Sequence, residues 1–354
     1  MAPPIPIRNL YYLYAYAWDQ FNYAQRVETG NELGPDAASF FSRVLAEGCR
    51  QLFRRGVDRG YKGYEEERAQ LRGRINIAKT FRHSSLQRAK IWCEYDELQC
   101  NSLPNLLLKA TLVKLSAHED VASDRKTNRA LLEDLHKAIR TFDALGVATI
   151  QLDRTLFRRI QLHRNNAFYG FLLHVCEMAL AFAFPVRDGE GGSFAAVLDN
   201  DQEMSALFEK FIKNFYRREQ SLYAVTSEHI QWKMTGDEVS QLHLLPQMLT
   251  DVSLRSKERT IIIDTKYYSR TLTSRFDAKK LHSANLYQIF AYLKNLEDRP
   301  GPDARADGIL LYPTVGDRVD FRAPIDGHCI RAKTIDLRLP WAEIRSGLLD
   351  VLAP

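Results

Sequence analysis

The second half of the chain predicts an α/β fold, a mixed sheet flanked by helices, and three observations carry that prediction. After Ser193 the elements run helix, three strands, helix, strand, the order of a sheet layered with helices. The run Ile261-Ile262-Ile263 specifies a β-branched strand buried on both faces. Ahead of it, Met204, Leu207, Phe208, Phe211, Ile212 and Phe215 recur at helical spacing and give one apolar face to a helix over 203–218. The strands are expected at 228–233, 247–254 and 260–267, the next helix at 283–296 and the next strand at 308–313. A last strand over 328–337 and a helix over 341–352 close the chain.

The first half predicts a mixed α+β domain. A Pro-rich lead (Pro3, Pro4, Pro6) precedes a stretch of tyrosines and apolar residues. Asp36 is placed to cap a helix over 37–55, where Phe40, Phe41, Val44, Leu45 and Leu52 share a face. From 61 to 95 the pattern is strand-like, with Gly60, Gly63 and Gly73 as breaks. Helices are expected at 104–118 and 127–142, then a basic segment with Arg154, Arg158, Arg159 and Arg164. The apolar run 168–186 has nearly the length of a membrane span, but His174, Glu177 and Pro185 argue for a buried core helix. The 187–193 stretch, RDGEGGS, has a loop's composition. A boundary near 165 divides the chain into residues 1–165 and 166–354.

With 354 residues, 45% hydrophobic and 26% charged, the composition excludes a disordered, collagen-like or disulfide-scaffold protein. The net charge of +5 is unevenly spread. Up to Arg164 there are 26 Lys and Arg against 19 Asp and Glu; beyond it there are 23 against 25. The positive excess therefore lies in the first half, where it is compatible with a polyanionic partner. Five scattered cysteines without a C-x-x-C pair argue against a zinc ribbon and fit a reducing cytosol. No signal peptide opens the sequence, so a cytoplasmic protein without a membrane anchor is expected.

The chemistry concentrates around Leu245–Lys266. Side chains alternate along a strand, so Asp264 and Lys266 share a face. A two-residue turn at Lys257-Glu258 makes the numbers of paired residues sum to 515, which sets Asp251 opposite Asp264 with Cβ atoms about 4.5–5.5 Å apart. Two carboxylates at that distance repel unless a cation lies between them, and Mg²⁺ suits a pair of acids completed by water and phosphate. Lys266 is then placed to orient or deprotonate a water, or to offset charge developing at phosphorus. A three-residue loop would put the acids on opposite faces. On the following helix, Gln288 and Tyr292 are four residues apart and share a face, to support this site or contact a phosphate. Arg217, Arg218, Arg275, Lys279 and Lys280 are candidates for DNA phosphates. The nearest approach to a nucleotide-binding loop, Gly73-Arg74-Ile75-Asn76-Ile77-Ala78-Lys79-Thr80, has alanine where the second glycine is needed and reads as a strand, so no nucleotide site is expected.

The layout Pro246…Asp251…Asp264-Thr265-Lys266 with Gln288-x-x-x-Tyr292 resembles the PD-(D/E)xK nuclease superfamily, although Pro246 stands five residues before Asp251 instead of beside it. Over nearly the whole chain the sequence is similar to the McrC family. The similarity lies in Pro6-Ile7-Arg8-Asn9-Leu10-Tyr11-Tyr12 with Tyr16-Ala17-Trp18, Arg72-Gly73-Arg74-Ile75 with Ala78-Lys79-Thr80, and Glu203-Met204-Ser205 with Arg217-Arg218-Glu219. It continues in Ile263-Asp264-Thr265-Lys266-Tyr267-Tyr268 and His282-Ser283-x-Asn285-Leu286-Tyr287-Gln288.

The resemblance implies a restriction-endonuclease-like domain over 166–354 that cuts double-stranded DNA with Mg²⁺, using Asp251 and Asp264 as metal ligands and Lys266 as catalytic lysine. It also implies a hexameric AAA+ partner, McrB, which binds GTP and reads a modified cytosine, with residues 1–165 docking on that ring and stimulating its GTPase. In this superfamily the helix before the sheet often carries an extra acid, for which Glu209 and Glu219 compete. The alternative is an adaptor that regulates an AAA+ ring and has little or no cleavage activity of its own.

Overall fold

The computed structural model describes residues 5–20, 37–123, 128–160, 167–184, 201–233, 244–267, 273–275, 278–314 and 318–353. It divides into two compact units, Met1–Gln25 with Gly192–Pro354, and Arg26–Gly191. The boundary expected at 165 is therefore displaced in two ways. The apolar helix Ala167–Ala183 stays with the first-half helices because Phe171, Leu172, Val175, Cys176 and Ala179 are all buried among them. The N-terminal helix Ile7–Ala17 joins the second-half unit by packing on the helix Asp201–Glu219. Tyr16 stands against Phe211 and Phe215, and Tyr12 stacks on Trp341. The second unit is thus entered and left through a chain that begins and ends in the first.

The unit Arg26–Gly191 packs the helices Ala37–Arg55, Leu103–Ser116, Arg129–Ala144 and Ala167–Ala183 around Phe41, Phe142 and Phe171. Its three-stranded antiparallel sheet has the order Gly60–Arg68, Ile91–Gln99, Arg74–Ile75. Gly63 does not interrupt the first strand, where it pairs with Asp96. Gly73 does turn the chain: its φ is +69°, and a Cβ there would meet the Glu94 carbonyl oxygen at 2.2 Å. The segment read as a strand after Gly73 keeps only Arg74–Ile75 extended. It then becomes the helix Ile77–Arg82, because the Asn76 side chain accepts from the Lys79 amide and caps it. The Asp36 cap and the 187–193 loop lie outside the described residues. Among the described residues no helix is long and apolar enough to cross a membrane.

The unit that carries the candidate site is built on a six-stranded sheet. Its order is Asp320–Ile325, His328–Asp336, Asp307–Thr314, Thr260–Thr265, Val252–Arg255, Ala224–Thr226. The two central pairings, His328–Asp336 with Asp307–Thr314 and that strand with Thr260–Thr265, are parallel and the others antiparallel, so the sheet is mixed. The parallel connection from Thr260–Thr265 to Asp307–Thr314 needs a crossover, and the helix Ser283–Leu296 provides it. Ile262 packs in one cluster with Ile289, Tyr292 and Leu293 of that helix, while the helix Asp201–Glu219 also packs on the same strand. Thr260–Thr265 is accordingly buried at every position, as its β-branched run predicts. The edge strands Ala224–Thr226 and Asp320–Ile325, absent from the sequence reading, are short or alternate exposed and half-buried residues and carry little apolar signal.

The crossover helix lies so close to the sheet that Gly308 has no room for a side chain. A Cβ there would stand 2.8 Å from Ile289 Cγ1 and 2.9 Å from Leu293 Cδ1. Gly308→Val is expected to cost about 1–3 kcal/mol by overpacking. At Gly347 a Cβ would make an ordinary 3.6 Å contact with Ile335, and Gly347→Ala within the helix Trp341–Asp350 should stabilise by about 0.4–1 kcal/mol. Denaturant unfolding of both variants checks the contrast, and equal effects would show that the helix can lift from the sheet.

Candidate active site

The hairpin that carries the acids has the register expected of a two-residue turn. Val252 pairs with Ile263, Ser253 with Ile262, Leu254 with Ile261 and Arg255 with Thr260. The Ser256 amide donates to the Arg259 carbonyl at 2.9 Å and closes the turn. The ladder stops at Val252, one residue short of Asp251. Asp251 therefore does not form a ladder pair with Asp264 as expected; it turns its side chain onto the end of the neighbouring strand. Asp251 Oδ2 accepts from the Thr265 amide and from Thr265 Oγ1, both at 2.7 Å.

Asp264 is wholly buried. Lys266 Nζ donates to its Oδ1 at 3.2 Å and lies 3.0 Å from Oδ2, which has no hydrogen-bond partner among the described residues. Burial, with smaller contributions from the Asp251 and Glu209 charges and against the opposing pull of Lys266, raises the Asp264 carboxyl to about 7. The Lys266 side chain is 19% exposed, and its amide donates to the Leu311 carbonyl, so the lysine sits where the strand leaves the sheet. The three charged residues singled out in the sequence are thus brought together at one strand end.

Gln288 and Tyr292 also reach this place, in a supporting capacity. Gln288 Nε2 donates to the Tyr292 hydroxyl at 2.7 Å, and that hydroxyl donates to the Leu249 carbonyl at 3.1 Å. The pair braces the backbone two residues before Asp251. Burial raises the Tyr292 phenol above its usual range, and Asp264 and Asp251 add to the effect.

The two rival acids separate cleanly. Glu219 accepts from the Tyr16 hydroxyl and from Arg345 Nε, each at 2.7 Å, and so ties the N-terminal and C-terminal helices to Asp201–Glu219. Glu209 is half-buried and faces the site: burial first, and then the Asp251 charge, raise its carboxyl, against Lys213, Lys210 and Lys266. Arg217 and Arg218 engage Asn214 and Glu219 on their own helix, at 3.4 and 3.8 Å. Arg275, Lys279 and Lys280 fall on a small hairpin, Thr273–Arg275 paired with Ala278–Lys280. Thr265 is the residue that sequence reasoning missed. It was the variable position of Asp-x-Lys, and only the hydrogen-bond acceptor one strand away reveals its use.

The donor set fits a small hard cation. Asp264 is a buried carboxylate with one oxygen lacking a hydrogen-bond partner among the described residues, and the charge of Asp251, already fixed by Thr265, acts on it. Among the described residues no group of three or more His, Cys, Asp or Glu side chains could hold an ion. Two carboxylates suit Mg²⁺, which keeps several waters, better than a cation that needs a protein cage.

Fold and site together define the class: an α/β unit whose mixed sheet presents two acids and a lysine at the end of one buried strand. The family model described as "McrBC 5-methylcytosine restriction system component" matches residues 10–313. A relative from Escherichia coli (strain K12), the type IV methyl-directed restriction enzyme EcoKMcrBC, is 32% identical over 352 residues, covering 99% of this chain and 97% of the relative. The chain belongs to the McrBC family of restriction system components, the family that its motifs resemble. Two solved Thermococcus gammatolerans assemblies are also similar. A half-complex of McrB AAA+ hexamers with bound McrC covers 99% of this chain and 78% of its own, at 19% identity and TM-score 0.45. An McrBC complex covers 62% and 60%, at 22% identity and TM-score 0.41. Neither superposes closely enough to transfer a residue.

With no cation bound, Asp264 makes stability depend on pH. Its folded-state pKa is above the unfolded carboxylate value, so between about pH 4 and 7 the folded state holds a proton that the unfolded state has released. Its contribution is complete below that window and lost as pH rises through it. Asp264→Asn should therefore melt higher than the unsubstituted chain at pH 8 in a chelator, by about 2 °C or more, with a much smaller gap at pH 5. Thermal melts at the two pH values check this; a gap that does not change with pH would contradict it.

Proposed function

We propose that the chain is the endonuclease subunit of an McrBC-type restriction system, hydrolysing phosphodiester bonds of double-stranded DNA with Mg²⁺. The observation that carries this reading is the buried Asp264 carboxylate, whose Oδ2 has no hydrogen-bond partner among the described residues, paired with Lys266 and acted on by the Asp251 charge. The full-length similarity to a methyl-directed restriction enzyme supports it. Asp264 and Asp251 would hold the cation, which supplies polarisation of the phosphate and a more acidic bound water.

The chain's own residues do the remaining work. Lys266, held against Asp264, keeps a positive charge at the strand end, where it orients the attacking water and offsets charge developing at phosphorus. Burial of Asp264 keeps competing bulk water away from the acid pair. Gln288 and Tyr292 hold the approach to Asp251 at a fixed position. Arg217, Arg218, Arg275, Lys279 and Lys280 contact DNA phosphates and set orientation without reading sequence.

The nucleotide chemistry belongs to a partner, a hexameric McrB-like AAA+ GTPase that also recognises the modified cytosine. In this chain the helix start after Gly73 is occupied by its own Asn76, and Lys79 is paired with Glu65. Residues 1–165, most of which fall in the unit Arg26–Gly191, are the part that docks on the partner and stimulates its GTPase.

Asp264→Ala is expected to abolish cleavage of methylated DNA in the presence of partner, GTP and Mg²⁺, while complex formation and stimulated GTP turnover remain. Gel cleavage and GTPase assays on the same preparation check both. Retained cutting would remove Asp264 from the mechanism, and GTP stimulation by the unsubstituted chain without any cutting would make it an adaptor.

A further inference from the structure

Thr265 occupies the middle of Asp264-Thr265-Lys266 and is 3% exposed. Its amide lies just past the last ladder pair, Val252 with Ile263, and is the next donor that antiparallel pairing would present. No strand carbonyl meets it. The Asp251 carboxylate takes that place, and the Thr265 hydroxyl adds a second bond to the same oxygen, each 2.7 Å long. An ionised carboxylate offers about four acceptor positions, two on each oxygen. Two donors on Oδ2 use that oxygen fully and stop the carboxylate from rotating.

We infer that Thr265 is a positioning residue that clamps the Asp251 carboxylate through Oδ2, fixing the acid that would hold the divalent cation on the strand that also carries Asp264. This rests on the metal-site reading above. The reason for a hydroxyl at this position is geometric. The amide alone would leave the carboxylate free to pivot about a single bond, whereas amide and hydroxyl together fix its plane. A β-branched residue also has few χ1 choices and suits the buried strand. Asp-x-Lys therefore uses all three of its residues: the first and third act at the site, and the second holds the acid supplied by the other strand.

The test is binding of Mn²⁺ to the full-length purified chain by titration calorimetry, beside the Mg²⁺ dependence of cleavage with partner and GTP. Thr265→Val keeps the shape and removes the hydroxyl. It is expected to weaken Mn²⁺ binding by about 10–100-fold, the range seen when a partner of a metal ligand is removed. It should also raise the Mg²⁺ needed for half-maximal cleavage, with the rate at saturating Mg²⁺ largely kept. Thr265→Ser, which retains the hydroxyl, should restore most of the affinity. Should the Val variant not fold, Thr265→Ala carries the same comparison without the added methyl. Asp251→Asn and Asp264→Asn separate the two ideas. If they bind Mn²⁺ as the unsubstituted chain does, the metal-site reading fails. If they lose the ion while Thr265→Val and Thr265→Ala bind it normally, the clamp is overturned.

Discussion

The short turn at Lys257-Glu258 sets how two strands meet, and the candidate site depends on that meeting. With two residues at the tip, Val252 must face Ile263, and the chain before Val252 must emerge beside the end of the Thr260–Thr265 strand. Asp251 can then reach Thr265, and Asp264 and Lys266 lie within the same few ångströms. One residue more or less in the turn would move the acid of one strand away from the acid and lysine of the other.

This arrangement costs stability, and the surroundings show where it is offset. Asp264 is a buried carboxylate with one oxygen that has no hydrogen-bond partner among the described residues. The strand that bears it is held by a parallel neighbour on one side and an antiparallel one on the other. Both its faces are covered, by the helices Asp201–Glu219 and Ser283–Leu296. At its opposite end, Arg255 binds Glu228 and Asp303, Arg299 binds the same two acids, and Thr260 donates to Asp303. Satisfied ion pairs and hydrogen bonds thus gather away from the candidate site, and the buried acceptor lies where the proposed cation would be held.

Much of this was legible in the sequence because the signals were local. The helices expected at about 37–55 and 283–296 are present over Ala37–Arg55 and Ser283–Leu296, since apolar residues recur along each at helical spacing. The hairpin register followed from turn length alone. The assignment of domains was less readable. The Ile7–Ala17 helix is tyrosine-rich throughout, and nothing local to it shows that its partners are Phe211, Phe215 and Trp341, some two hundred and more residues later in the chain.

What the sequence determined by itself is therefore most of the larger helices, the central strands and the chemical groups of the site, because periodicity, turn length and an Asp-x-Lys strand end are properties of neighbouring residues. The tertiary structure alone decided how those groups are used. It turned Asp251 from a ladder partner into a side chain clamped by Thr265, committed Glu219 to Tyr16 and Arg345, and left Glu209 facing the acids. Those outcomes depend on which donor or charge arrives from a distant segment, and burial then makes each arrival matter, since a polar group removed from water must take whatever partner the fold provides.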